Sequence, residues 1–189
     1  CRLTYHRCAF SRGKRVSLTV SKRMAAIRPS PTGAVLALAA ELRATGRDII
    51  SLGAGEPDFD TPQHIKDAAH KAIVDGETKY TPIDGTAELK AAIREKFARE
   101  NQLNYDAAQI IVSTGAKQCL FNLCMGLLSP GDEAIIPAPY WVSYPDMVRL
   151  AGAEPVIVAA SIDQNFKITP EQLQSAISER TRLLILNSP

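Results

Sequence analysis

The 189-residue sequence has few of the residues that usually carry metal or disulfide chemistry. It contains four cysteines and three histidines, and neither set shows the close, regular spacing of a metal site or of a disulfide framework. We therefore expect no bound metal and a reducing, cytoplasmic compartment. No apolar run approaches the roughly 20 residues that a membrane-spanning helix needs, so we expect no membrane partner.

Acidic residues are missing from the first forty positions, which carry eight lysines and arginines. The remainder of the chain holds fourteen basic residues against twenty acidic ones. The basic residues of the first forty positions are not interleaved with aromatic residues on a helix face, so we do not expect nucleic acid as a partner. Residues 1–15 are interpreted as a basic extension of uncertain origin, either a targeting segment or a translated leader.

One stretch combines a buried-strand pattern with an apolar helix pattern. The β-branched run I-I-V predicts a strand at 110–113, and the long apolar run after it predicts a helix at 116–128. The turn between them, S-T-G-A-K at 113–117, brings small residues, two hydroxyls and a lysine to a helix N-terminus. Such a turn can bind a phosphate, although its spacing is neither that of a P-loop nor that of a dinucleotide fingerprint. A tight turn without a ligand is the alternative.

Turn residues and hydrophobic periodicity predict the other elements. Helices are expected at 34–45, from Pro62 (capped by Thr61) to Gly76, from Thr86 to Asn101, at 142–150 and at 170–178; strands are expected at 48–52, 133–136, 155–158 and 182–187. The alternation after residue 110 predicts an α/β fold with a mostly parallel sheet and helices on both faces. Ligands of such sheets bind beyond the carboxyl ends of the strands, where 113–117 and 137–141 fall. Because the last strand would leave an unpaired edge, we expect the sequence to be a fragment.

Five segments together carry a resemblance to a known family. They are S-L-G-A-G-E-P-D-F-D-T-P (51–62), K-Y-T-P-I-D-G-T (79–86), S-T-G-A-K-Q (113–118), S-P-G-D-E (129–133) and P-Y-W-V-S-Y-P (139–145). In order and spacing they resemble the class I aminotransferases, which are pyridoxal-phosphate enzymes of fold type I. The sequence is most similar to the bacterial aspartate aminotransferases, some of which also accept prephenate. The resemblance covers about residues 16–189 and corresponds to the N-terminal half of such an enzyme.

The resemblance implies a domain organisation and a function. Residues 16–60 would form an N-terminal helical arm with a substrate loop, and residues 61–189 would form the first half of the large domain that binds pyridoxal 5'-phosphate. The implied reaction transfers an amino group between a dicarboxylic amino acid and a 2-oxo acid. A pyridoxal-phosphate lyase of the same fold and a non-catalytic α/β binding protein are the alternatives.

The resemblance also implies individual site residues. Cofactor-binding roles are implied for Gly115, Ala116, Lys117, Trp141 and Tyr80, and a substrate-binding role is implied for Gly55. In the family the glycine-containing turn binds the cofactor phosphate, the tryptophan stacks on the pyridine ring, and the tyrosine reaches the phosphate of the neighbouring subunit in a homodimer. The backbone of the glycine that Gly55 matches meets the substrate carboxylate. Each residue also has a plain structural explanation: a turn glycine, a core or interface tryptophan, an exposed loop tyrosine.

No catalytic residue is expected within the chain itself. Lys117 lies beside the phosphate turn, whereas the family's Schiff-base lysine comes much later and is expected beyond Pro189. The family's asparagine that usually follows the pattern N-S-P-x is likewise expected just beyond the end, so Asn187 is not that residue. The 189 residues alone are therefore expected to be inactive.

Overall fold

The structure, a computed structural model, describes residues 19–27 and 29–188. Its residue contacts divide it into two units, one formed by residues 31–123 and the other by the described residues outside that range. The basic extension at 1–15 lies outside the described residues. The predicted α/β class with a parallel sheet is confirmed. The predicted boundary between an arm and a large domain at residue 60 stays a prediction.

Helices outnumber strands in the described residues. The α-helices are α1 (Lys22–Ala25), α2 (Pro31–Ala44), α3 (Gln63–Val74), α4 (Ala87–Lys96), α5 (Ala116–Leu127), α6 (Tyr144–Leu150) and α7 (Pro170–Ala176). The strands are β1 (Glu133–Ala138), β2 (Glu154–Ala159) and β3 (Thr181–Leu184). Short helical turns are found at Phe97–Asn101 (π) and at Ala107–Gln109 and Ile162–Gln164 (3₁₀). None of the described helices is long and apolar enough to cross a bilayer.

Glycines and a left-handed residue end the helices of the 31–123 unit where the sequence predicts. Gly46 follows α2 and Gly76 follows α3, with φ angles of 83° and 84°. This left-handed conformation suits glycine because glycine has no Cβ to clash with the backbone. α4 continues into the π-helical turn and ends at Gln102, which is itself left-handed with φ 56°. The predicted fading of this helix at Asn101 is therefore confirmed.

The two predicted threonine caps have different outcomes. Thr86 caps α4, because its side-chain oxygen accepts the N–H of Leu89 at 3.3 Å. The prediction that Thr61 caps α3 is wrong. Pro62 occupies the cap position without a side-chain bond, and the N–H of Thr61 donates to the Asp60 carboxylate at 2.9 Å. The proline, with its fixed φ, sets the start of this helix.

The sheet is centred on β1, which pairs in parallel with β2 on one side and with β3 on the other. The β1–β2 register runs from Glu133 opposite Glu154 to Ala138 opposite Ala159. α6 connects β1 to β2 and α7 connects β2 to β3, which confirms the predicted alternation over this region. The middle of β1, Ala134–Ile136, is at most 1% exposed. A parallel strand covered on both faces accounts for its continuous apolar sequence.

α6 supplies much of the cover for this sheet. It contacts both β1 and β2. Met147 and Val148 on α6 are buried, and Val148 is completely inaccessible. Burial of one such side chain stabilises a fold by about 1.5–3 kcal/mol. The core of this unit is therefore the contact of α6 with the two strands.

A buried carboxylate fixes the start of β1 against the start of β3. Glu133 is only 6% exposed. Its carboxylate forms an ion pair with Arg180 and accepts the Ser178 hydroxyl at 2.6 Å, while its N–H donates to the Arg180 carbonyl at 2.9 Å. A buried charge is tolerated only when it is paired and hydrogen-bonded. The pairing therefore selects the register of these two strands.

Two predicted strands, 48–52 and 110–113, are wrong: neither segment belongs to a sheet in the described structure. Ile50 and Leu52 are 88% and 93% exposed, and Ile111 is 71% exposed. A strand requires a neighbouring strand for its backbone hydrogen bonds, and the described chain provides none beside these segments. Their apolar composition alone indicated strands.

We expect Ile136→Ala to lower the free energy of unfolding by about 2–5 kcal/mol, because a fully buried side chain would leave a cavity. Ile157 is the matched control, since it is the register partner of Ile136 on β2 but is 42% exposed. Urea denaturation of the two variants makes the comparison. Equal losses for Ile136→Ala and Ile157→Ala would contradict the described core.

Candidate active site

The predicted phosphate turn lies at the N-terminus of α5, as the sequence indicates. The N–H of Gly115 donates to the Ser113 carbonyl at 2.8 Å, and the N–H of Thr114 donates to the Gln118 side chain at 2.6 Å. These bonds hold the turn closed. The N–H of Ala116, the first residue of α5, has no acceptor within its own helix, as at the start of any α-helix. The helix dipole adds positive potential at the same place.

Gly115 shapes the open side of this turn. Its φ is +81°, in the left-handed region that disfavours other residues. No heavy atom lies within 4 Å of the position that a Cβ would take. The turn thus leaves space beside its backbone, and the residues on either side are exposed. This combination of open space, backbone N–H and positive dipole suits a phosphate.

Lys117 is the second residue of α5 and is exposed. A positive charge at a helix N-terminus is unfavourable unless an anion lies nearby. An anion bound at the turn would interact favourably with a lysine at this position. Its position agrees with the predicted phosphate role and gives no support to a covalent role.

Tyr80 lies in the same unit, in the loop between α3 and α4, and its side chain is fully exposed. The loop is fastened to the segment that precedes the phosphate turn. The carbonyl of Asp84 accepts the N–H of Val112 at 3.1 Å, and the Asp84 carboxylate forms an ion pair with Lys90 of α4. Gly85, with φ +109°, packs so close that an added Cβ would lie 2.6 Å from a Val112 methyl group. Such a contact admits only glycine.

The sequence analysis missed Asp84 and Lys90. A signal was present, because Lys90 lies three residues before Ile93 and seven before Phe97, on the apolar face of the predicted helix. A buried lysine on that face needs a charged or polar partner. The hydrogen bond from Lys90 holds the pKa of Asp84 below its ordinary value. Because that folded-state pKa is lowered, the ion pair stabilises the fold above the ordinary carboxyl pKa and is lost only as the pH falls through the lowered value.

Trp141 lies in the other unit, three residues after β1, and is half-buried. Its ring makes a T-shaped contact with Tyr144 of α6, with 5.5 Å between ring centroids and 83° between planes. The hydroxyl of Tyr144 donates to the Asn187 side chain at 3.2 Å. Asn187 follows β3, so these three residues meet at the carboxyl ends of two neighbouring parallel strands. The expectation that 137–141 lies beyond a strand end is confirmed for 139–141, since Pro137 and Ala138 belong to β1. The same expectation for 113–117 is wrong, because no strand precedes that turn in the described part of the chain.

The sequence predicts no role for Tyr144, and for Asn187 it predicts only that this residue is not the family's asparagine after N-S-P-x. Their hydrogen bond joins residues 43 positions apart. Nothing in the local sequence pattern indicates such a contact. Its effect is to hold the ring that packs against Trp141.

Gly55 lies in the exposed loop between α2 and α3. Its φ is outside the left-handed range, and nothing lies within 4 Å of an added Cβ. The conformation of the chain therefore does not require glycine here. Gly53 differs, since its Cβ would lie 3.1 Å from Val35 and 3.3 Å from Leu36, both on α2. The loop is thus seated on α2 at Gly53 and open at Gly55.

Other features of the described residues lie away from these positions. Two grooves of about 410 and 790 Å³ run along α4, and neither is lined by a predicted site residue. Cys119 and Cys124 are both free thiols, and burial raises the pKa of Cys124. No group of three His, Cys, Asp or Glu side chains within 19–27 and 29–188 is placed to hold a metal ion.

Comparison with known proteins identifies the family. The family model described as aminotransferase class I and II matches residues 47–189. The aspartate/prephenate aminotransferase of Nitrosomonas europaea is 58% identical over 172 residues, which are 91% of this chain and 43% of that protein. The aspartate/prephenate aminotransferase of Cereibacter sphaeroides is 61% identical over 170 residues, 90% of this chain and 42% of that protein. The chain thus spans about two fifths of the length of these curated relatives.

Solved structures agree with the sequence matches. The aspartate aminotransferase from Rhizobium meliloti superposes with a TM-score of 0.86 at 52% identity, covering 92% of this chain and 43% of that one. The Thermus thermophilus aspartate aminotransferase with maleate gives a TM-score of 0.88 at 50% identity, covering 92% of this chain and 45% of that one. The resemblance carried by the five sequence segments is confirmed. On this evidence the chain belongs to the class I and II aminotransferase family.

Proposed function

We propose that this chain forms the phosphate-binding part of a pyridoxal-phosphate-dependent aspartate aminotransferase. The enzyme would transfer an amino group between a dicarboxylic amino acid and a 2-oxo acid. The observation that carries the proposal is the turn at 113–117, with Gly115 open to solvent at the N-terminus of α5. Relatives named aspartate aminotransferase and aspartate/prephenate aminotransferase support it.

The residues present fit the phosphate of the cofactor. A phosphate dianion would accept the N–H of Ala116 and lie in the space beside Gly115. The exposed ammonium of Lys117 would neutralise part of its charge. An added Cβ at Gly115 would stand in that same space. The turn would therefore bind and orient the cofactor phosphate. The resemblance assigns the covalent chemistry to a lysine outside this chain.

Trp141 is proposed to stack on the pyridine ring. An indole face attracts a planar cationic ring and excludes water from one side of it. The contact with Tyr144, and the hydrogen bond from Tyr144 to Asn187, hold the indole at a strand end. When bound, pyridoxal phosphate supplies an electron sink for reactions at the substrate α-carbon.

Gly55 is proposed to meet the substrate carboxylate through its backbone. The backbone conformation and the neighbouring atoms do not require glycine at this position. A side chain at residue 55 would therefore obstruct only a molecule outside the described chain, and this supports the proposed role. The close packing of Gly53 against α2 fixes one end of this loop. The loop would thus present a backbone N–H to the substrate without a side chain in the way.

The functional unit is proposed to be a homodimer in which Tyr80 reaches the phosphate of the neighbouring site. Support comes from exposure: Tyr80 and Ile83 on one loop are both fully accessible in the single chain. Exposed apolar patches are typical of protein–protein interfaces. A cytoplasmic location is proposed as well, in keeping with the free thiols of Cys119 and Cys124.

The protein as its gene encodes it, loaded with pyridoxal phosphate, is expected to transfer the amino group of aspartate to 2-oxoglutarate. Prephenate is proposed as a further acceptor, because relatives are named aspartate/prephenate aminotransferase. An assay with each acceptor measures both. Release of ammonia or carbon dioxide without any need for a 2-oxo acid would instead indicate a lyase.

Trp141→Ala is expected to weaken cofactor binding by about 1–3 kcal/mol through the loss of stacking. Trp141→Phe is the control that keeps an aromatic face, and it should retain most of the affinity. Titration of the apoenzyme with pyridoxal phosphate gives both values. Unchanged affinity in Trp141→Ala would remove the stacking role.

Gly115→Ala is expected to lower both stability and cofactor affinity, because a left-handed alanine costs roughly 1–2 kcal/mol and its methyl group fills the phosphate space. Gly126→Ala is the matched control inside α5, the helix that Gly115 precedes, because no contact opposes the methyl group there and alanine favours the helix. Thermal unfolding and cofactor titration of both variants test this. If Gly115→Ala bound the cofactor as tightly as Gly126→Ala, the turn would not be the phosphate site.

A further inference from the structure

Lys90 is an unusual lysine. It lies on α4 and is only 8% exposed, although lysine is almost never buried without a partner. Its partner is Asp84, whose side chain remains 47% exposed. The ion pair is therefore anchored at its buried end by the lysine and reaches the surface through the aspartate.

Three further contacts surround this pair. The carbonyl of Asp84 accepts the N–H of Val112 at 3.1 Å. Gly85 packs against the Val112 side chain with no room for a Cβ, and the stem of Lys90 lies 3.7 Å from that same position. We call these four residues, Asp84, Gly85, Lys90 and Val112, the Lys90 clasp. It joins three separate pieces of chain: the loop before α4, α4 itself, and the segment before α5.

The two loops joined by the clasp carry the proposed phosphate contacts: the turn at 113–117 would bind the phosphate of its own chain, and Tyr80 would reach the phosphate of the neighbouring subunit. Asp84 lies four residues after Tyr80, and Val112 lies three residues before Gly115. A chain of three or four residues reaches only about 10–14 Å when fully extended, so fixing Asp84 against Val112 restricts where both contacts can lie. The clasp thus sets the Tyr80 loop and the phosphate turn in one relative position.

An ion pair is a poor choice if stability alone is needed. Replacing a buried pair with apolar residues often leaves a protein equally stable, whereas one charge left alone is strongly destabilising. What the pair adds is a positional constraint, because the ammonium on the buried Lys90 stem bonds to the Asp84 carboxylate and so restricts where Asp84 can lie. This favours a positioning role over simple packing.

We propose that Lys90 is a positioning residue for cofactor phosphate binding: through Asp84 and Val112 it holds the Tyr80 loop against the segment that leads into the phosphate turn. The inference rests on the proposed function, since it concerns the same phosphate. Lys90 itself touches no ligand. Its effect is on the phosphate and not on the ring.

The test measures the affinities of the full protein for pyridoxal phosphate and for pyridoxal, which lacks the phosphate. Lys90→Met keeps the aliphatic stem and removes the charge. It should bind pyridoxal phosphate about tenfold more weakly while its affinity for pyridoxal stays unchanged, because only the phosphate contacts move. Lys90→Arg, which can still pair with Asp84, should restore most of the affinity.

Lys71→Met is the matched control, since it breaks the exposed Lys71–Asp75 ion pair on α3 and should change neither affinity. Hydrogen exchange of the unliganded protein gives a second readout: Lys90→Met should speed exchange both at 78–86 and at 112–117, and Lys71→Met should not. If Lys90→Met fails to fold, Asp84→Asn disrupts the pair from its exposed side and is expected to act in the same direction.

Each outcome distinguishes the two claims. If the wild type binds pyridoxal phosphate and Lys90→Met binds it equally well, or loses pyridoxal to the same degree, the positioning role is overturned and the proposed function stands. Unchanged exchange in both segments also overturns it. If the wild type binds no pyridoxal phosphate, the proposed function fails, and the positioning role with it.

Discussion

The central strand β1 can be buried only because both of its backbone edges are hydrogen-bonded, to β2 and to β3. Ala134–Ile136 has no accessible surface to speak of, so every N–H and C=O there needs a protein partner. Parallel pairing on both sides meets that need and brings the carboxyl ends of the strands to one edge. Trp141 and Asn187 each lie three residues after a strand that ends there, β1 and β3 respectively. The position of Trp141, the proposed ring-binding residue, therefore follows from the parallel strand pairing that satisfies the backbone hydrogen bonds of the core.

The phosphate turn depends on a different constraint, the conformation of a single glycine. Gly115 is left-handed and has open space on its exposed side, so the start of α5 presents its backbone outward. Lys117 adds a charge that is unfavourable at a helix N-terminus without an anion. A phosphate bound at the turn would offset that unfavourable interaction. The Lys90 clasp acts on the neighbouring loop. There the buried Lys90 charge restricts the position of the Tyr80 loop and adds little net stability.

Much of this arrangement follows from local sequence signals. The apolar run of β1, the length of α5 and the glycines after α2 and α3 each depend on residues within one element, and these predictions are confirmed. The segments 48–52 and 110–113 were predicted as strands from equally local signals and failed, because a strand also needs a partner that composition does not reveal. Local signals also located parts of the candidate site. The sequence motifs placed the turn before α5 and Trp141 after β1. The contacts of Tyr144 with Asn187 and of Lys90 with Asp84 required the folded chain.

The central claim is that the turn at 113–117 binds the phosphate of pyridoxal phosphate. A crystal structure of the protein with this cofactor tests it most directly. The account predicts a phosphate oxygen at about 2.7–3.2 Å from the backbone nitrogen of Ala116, in the space beside Gly115. A cofactor whose phosphate is held by other residues, with the turn contacting only solvent, would contradict it.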